Sequence, residues 1–157
     1  MKRLDAAVAG VKRAQAASRQ PLAVVLAGHN GSGKSTMWYE RLVAQFRIPL
    51  INADRMMMSV LPEAKGEALP VWASQLRDGD RSWMEVAQLG VHSFVAHAMS
   101  KSVPFAMETV FSEWRPQQDG TIASKIVLIR QMQEAGYFVL LLFVGLSSAQ
   151  LSIARVS

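Results

Sequence analysis

The chain contains no cysteine. That excludes a disulfide scaffold, a thiolate metal site and a cysteine nucleophile. No apolar run approaches the ~20 residues of a membrane span, and the first residues form no apolar signal core. The apolar stretch Tyr137 to Leu146 is too short for a span and predicts a buried strand instead. There is no internal repeat, no low-complexity segment and no H-E-x-x-H zinc motif. His92 and His97 stand five apart, which misses the spacing that puts two ligands on one helix face, so they are ordinary helix residues. These absences predict a cytoplasmic protein that neither enters nor crosses a membrane.

Half of the 157 residues are hydrophobic and 18% are charged, enough for one globular domain with a core. The net charge of +5 is uneven. Lys2, Arg3, Lys12, Arg13 and Arg19 oppose only Asp5 in residues 1–19, so the excess sits on one N-terminal segment. A solvated helix face is the favoured reading of that segment, and nucleic acid the less favoured partner.

The strongest signal is Gly28-His29-Asn30-Gly31-Ser32-Gly33-Lys34-Ser35, which fits the phosphate-loop pattern G-x-x-x-x-G-K-[ST] at every fixed position. Glycines let the backbone wrap an anion with N–H groups pointing inward, and the following helix adds its positive dipole end. Gly28, Asn30, Gly31, Ser32, Gly33, Lys34, Ser35 and Thr36 are therefore the predicted nucleotide-binding residues. Lys34 reaches the β- and γ-phosphates, and Ser35 offers its hydroxyl to Mg²⁺. The implied cofactors are ATP or GTP with Mg²⁺.

The flanks agree with this motif. Pro21 to Ala27 predicts a buried strand, and Ser35 to Phe46 a helix. Asp5 to Ala17 predicts a helix ended by Pro21, and Ile48 to Asp54 a second strand. Arg55 to Val60 forms a helical turn, while residues 63–80 show no clear pattern. A helix over Arg81 to Ser100 carries Met84, Ala87, Val91, Val95, Ala98 and Met99 on its apolar side. Val103 to Met107 predicts a third strand, leading into Glu108 and Thr109. Asp119 to Ala135 predicts a helix closed by Gly136. Tyr137 to Val144 predicts a fourth strand, and Ser147 with Gln150 forms a capping box that opens a last helix.

Strands alternating with helices imply an α/β fold. It is read as a P-loop NTPase or kinase-like three-layer sandwich around a mostly parallel sheet of at least four strands. Residues 1–20 form a helical segment, and 21–157 form the core. The last helix has no exit signal, so the core is expected to be incomplete at its C-terminus.

Ligands of open α/β sheets bind outside the carboxyl ends of the strands. There the chain delivers the phosphate loop, Asp54, Glu108 with Thr109, and Gly145. Asp54 can take a proton from an attacking hydroxyl, hold Mg²⁺ through water, or cap the turn that follows. Glu108 suits either Mg²⁺ or the hydroxyls of an acceptor. Arg155 can clamp a transferring phosphoryl group.

Three segments in order, Ala27 to Thr36, Ile51-Asn52-Ala53-Asp54 and Met107-Glu108-Thr109-Val110-Phe111-Ser112, resemble the zeta-toxin family of phosphate-loop kinases. Gly136 to Leu146 fits that family's later strand, and the resemblance runs from about Leu22 to Ser157. It implies transfer of the ATP γ-phosphate to a hydroxyl of a small acceptor, UDP-N-acetylglucosamine in characterised members. It implies Asp54 as general base, with Lys34 and Arg155 as the other catalytic residues. It places Glu108 and Thr109 at the acceptor, and a small antitoxin protein as partner. The family also has an arginine-bearing lid, which by this resemblance is expected to be missing here. The alternative is a truncated, catalytically weak module that binds nucleotide or an antitoxin.

Overall fold

The computed structural model describes residues 2–28, 33–109, 121–144 and 149–154. It is built on a five-stranded sheet of order β2-β3-β1-β4-β5. The strands are β1 (Leu22–Ala27), β2 (Leu50–Ile51), β3 (Phe105–Thr109), β4 (Phe138–Val144) and β5 (Ala149–Ala154). All six residues of β1 are buried, which matches its uninterrupted apolar run and its central place. Both of its neighbours run parallel to it. Leu26 pairs with Glu108 of β3 and with Leu142 of β4, so the carboxyl ends of the three strands share one edge.

Two sequence expectations need correction. The helix expected from Ser147 is not there. Residues 149–154 instead form β5, antiparallel to β4 and running from the Val144↔Ala149 pair to Val139↔Ala154. Ala149-Gln150-Leu151-Ser152-Ile153 alternates apolar and polar with period two, a strand pattern that the capping box had masked. Pairing with β4 satisfies its backbone in a way that one helical turn could not. Ser147 itself lies outside the described residues. The second strand is also shorter than expected. It stops at Ile51 because the Asn52 side chain accepts a hydrogen bond from Arg55 N at 3.1 Å and opens a helix there.

Helix α1 (Lys2–Ser18) sets Val8 and Val11 into the main core with Leu22, Val24 and Leu26 of β1 and Leu140 and Leu142 of β4. A continuous helical stretch follows the phosphate loop: α2 (Lys34–Met37), a π-helical turn (Trp38–Leu42) and α3 (Val43–Phe46). In the turn, Val43 N donates to Trp38 O, one residue farther back than in an α-helix. The extra residue rotates the rest of the stretch back toward the sheet. Trp38 and Leu42 are both fully buried, and Trp38 stacks on Phe46 with ring centroids 6.2 Å apart and planes 7° from parallel. Arg47 ends the stretch in left-handed conformation at φ 54°. Helix α7 (Thr121–Glu134) ends at Gly136, where φ is +90°. Tyr137 N reaches Met132 O and Gly136 N reaches Gln133 O, a paired-bond stop that favours glycine at that position.

The chain divides into two compact units, Met1–Leu50 with Ala98–Ser157, and Ile51–His97. The second unit contains α4 (Ala53–Ser59), α5 (Val71–Gly79) and most of α6 (Arg81–Ser100). Gly90 of α6 faces Met56 of α4 closely: a β-carbon there would sit 3.4 Å from the Met56 sulfur. Asp80 opens α6 by accepting from Trp83 N at 2.9 Å and Ser82 Oγ at 2.6 Å, and these bonds hold its carboxyl below the usual aspartate range. Val91, Val95 and Ala98 are buried along the apolar side that periodicity predicted for this helix.

Candidate phosphate-binding site

Gly33 precedes the first helical residue with φ +87° and ψ +24°, a left-handed conformation that glycine adopts without steric cost. Its carbonyl accepts the first helical bond, from Met37 N at 2.9 Å. Glycine has no side chain with which to cap the helix start, whose N–H groups carry the positive end of the helix dipole. Lys34 is the first residue inside. Its side chain is buried, and Nζ donates to Gly28 O at 2.9 Å, across the mouth of the loop. The ammonium is thereby fixed at the carboxyl end of β1, where the strand hands over to the loop.

Ser35 lies one position on. Its Oγ donates to Glu108 Oε1 at 2.5 Å, across 73 residues of sequence. The sheet explains the meeting. Glu108 pairs with Leu26 in the β1–β3 register, two residues before Gly28, so its carboxylate leaves the sheet beside the loop's exit. A hydroxyl and a carboxylate are hard oxygen donors. One carboxylate plus ligand phosphates and waters is a usual way to hold Mg²⁺. Among the described residues there is no cluster of three or more acidic, histidine or cysteine side chains able to hold a metal alone, so a cation here would lean on phosphate oxygens. Ser35 and Glu108 fit that arrangement.

The structure brings Gly28, Gly33, Lys34, Ser35 and Glu108 to one edge of the sheet. Thr36 is exposed on the first turn of α2. Thr109 ends β3 opposite Ala27. Asn52 is buried and caps α4, a duty that sequence reading had allowed to Asp54. Asp54 is exposed in the first turn of α4, within the second unit. A carboxylate there complements the helix dipole. Asn30, Gly31, Ser32 and Arg155 lie outside the described residues. The contact that sequence reading leaves open is the pairing of Ser35 with Glu108. The available signal was an acidic residue directly after an apolar β-run.

With the site described, solved structures provide a comparison. A chain from the PezAT chromosomal toxin–antitoxin system of Streptococcus pneumoniae aligns with TM-score 0.54 and 19% identity, over 88% of this chain and 54% of that one. The likeness is one of fold: an α/β architecture around a mostly parallel sheet. A kinase candidate from Chloroflexus aurantiacus aligns less closely, with TM-score 0.49 and 18% identity, over 80% of this chain and 58% of that one. The chain thus spans a little over half the length of each. No protein-family model and no curated protein matches it. At such identities the likeness speaks for the fold alone.

Proposed function

We propose that this chain is the core of a phosphotransferase that moves the γ-phosphate of ATP to a hydroxyl of a small acceptor. The observation that carries the reading is Ser35 Oγ donating to Glu108 Oε1 beside a buried Lys34, at the start of the loop's helix. Bare phosphate binding needs only the loop and lysine. A carboxylate brought from β3 onto the loop's serine adds what a Mg²⁺–triphosphate complex requires.

In this reading Lys34 gives up Gly28 O for the β- and γ-phosphates. Ser35 and Glu108 would hold Mg²⁺, which would supply counter-charge to the triphosphate. The acceptor oxygen attacks the γ-phosphorus, the bond to the β–γ bridging oxygen breaks, and ADP leaves. The hydroxyl proton passes to the Asp54 carboxylate. Asp54 is exposed and so open to an incoming acceptor. Arg155 supplies counter-charge to the transferred group, and Thr109 contacts the acceptor. The ordered resemblance of the three sequence segments favours UDP-N-acetylglucosamine as acceptor. It also favours a small antitoxin protein as partner, in keeping with the toxin–antitoxin origin of the PezAT structure.

The test is incubation with Mg-ATP, with and without UDP-N-acetylglucosamine, read by mass for ADP and a phosphorylated sugar nucleotide. Asp54→Asn should keep ATP affinity and lower transfer by roughly 100-fold or more. Glu108→Gln should weaken the Mg²⁺ dependence of binding. Transfer by Asp54→Asn at the normal rate overturns the base assignment. ATP binding that ignores both Mg²⁺ and Glu108 overturns the kinase reading.

A further inference from the structure

Seven of the basic residues that the phosphate site does not use fall in the first fifty residues, on and beside two helices. The first fifty residues carry only two acids, Asp5 and Glu40, against eight basic side chains. Helix α1 has its apolar stripe, Val8 and Val11, committed to the core. Its remaining surface exposes Arg3, Lys12 and Arg13, with Arg19 just beyond its end. Helix α3 adjoins it, since Gln45 Nε2 donates to Asp5 Oδ1 at 3.4 Å. The same Gln45 nitrogen donates to Arg41 O at 2.9 Å, so Arg41 lies one turn from the α1 contact. Arg47 follows at the exposed end of α3.

None of these six cationic side chains meets a partner among the described residues. The ion pairs that are present lie elsewhere: Lys65 with Glu63, Arg77 with Asp78 and Arg81 with Glu85. Arg3 to Arg13 covers ~15 Å of helix axis at 1.5 Å per residue. At about 100° per residue these cations also spread over roughly half of the helix circumference, wider than one small anion needs.

We propose that the outer surface of α1, continued by Arg41 and Arg47, binds the phosphate backbone of nucleic acid. One feature favours this over an acidic protein, and a second favours it over a lipid surface. The exposed side of α1 between its charges is alanine, at Ala6, Ala16 and Ala17, and α1 contributes none of the large exposed hydrophobic side chains. A protein interface draws most of its affinity from buried aromatic or aliphatic anchors, whereas a phosphate track needs only spaced cations. The apolar stripe of α1 is already buried, which removes the face by which an amphipathic helix enters a lipid surface. Contacts of this kind are sequence-independent and weaken steeply with salt.

The test uses the full chain and fluorescein-labelled 20-nucleotide single-stranded and duplex DNA, read by anisotropy from 50 to 200 mM salt. Binding should fall at least tenfold across that range. The variant R3Q/K12Q/R13Q/R19Q should lose at least tenfold in affinity at 50 mM salt and show a shallower salt slope. All four residues are exposed, so its thermal unfolding should match the parent. A control that removes cations from the second unit, K65Q/R81Q, should bind like the parent. No binding at 50 mM salt overturns the proposal. So does equal loss in the control, or displacement of the DNA by polyglutamate or anionic phosphatidylserine vesicles at matched charge concentration.

Discussion

Tyr137 shows at the residue scale how one hydroxyl ties elements together. It is buried, and its Oη lies 2.8 Å from Ala98 O and 2.7 Å from Val103 O, one proton shared between two carbonyls at the exit of α6. Its ring meets Phe105 edge to face at 5.5 Å. Burial raises its pKa above the ordinary 10.0. A raised folded-state value means that the neutral form is favoured on folding. Its contribution is therefore complete below pH 10.0 and is lost as the pH climbs through the folded value. Tyr137→Phe should cost about 1 kcal/mol by urea unfolding at pH 7, because two carbonyls lose a donor. The variant should also lose less stability than the parent between pH 9 and 11. Equal losses over that interval would show that Tyr137 does not carry the dependence.

The π-helical turn is the feature to probe at the element scale. An uninterrupted α-helix from Lys34 would carry Leu42 and Phe46 progressively around the axis, away from the face that Trp38 presents to the core. Widening one turn keeps all three on that side while Lys34 and Ser35 stay at the mouth of the loop. Trp38→Ala removes the fully buried indole that anchors the turn. It should destabilise the chain by about 3–5 kcal/mol, a range measured for large aromatic deletions. Trp38→Phe should recover most of this, since a ring can still stack on Phe46. Chemical denaturation of the two variants decides it. A loss below about 1 kcal/mol for Trp38→Ala would mean that the turn is held from elsewhere.

The element scale also shows where sequence reading succeeded and failed. Helix α6 was legible to the residue because twenty residues of period 3.6 average out local exceptions. The strand at residues 22–27 was legible because nothing but a central strand buries six consecutive apolar residues beside a phosphate loop. The segment over residues 149–154 was misread. A local capping signal competed with a period-two pattern, and the open edge of β4 decided between them. Helix α5 was missed because Pro70 and Gly79 read as breakers, while they mark its two ends.

At the scale of the whole molecule, ligand linkage gives a test independent of any acceptor. If the loop edge takes Mg-ATP in the folded chain alone, the nucleotide must stabilise it. At a concentration 100 times its dissociation constant the gain is about 2.7 kcal/mol, seen as a rise in unfolding temperature. The rise should vanish in Lys34→Ala, which removes the buried ammonium at Gly28 O. It should shrink when Mg²⁺ is chelated. A rise unchanged by both would place the nucleotide elsewhere. No helix among the described residues is long and apolar enough to cross a membrane.

The sequence by itself determined the phosphate-loop pattern on which the proposed ligand class rests. Glycines, a lysine and a serine at fixed spacing after an apolar run set the local chemistry of phosphate binding, because loop and helix start are contiguous in the chain. It also determined the alternation of strands and helices, since periodicity is a local property. Tertiary structure alone decided which carboxylate serves that loop. Glu108 is 73 residues from Ser35, and only the parallel register of β1 and β3 places their oxygens together. The same holds for the direction of β5 and for the joining of α1 to α3 into one basic surface. Each of these is a long-range contact whose partners leave no trace in the spacing of either segment.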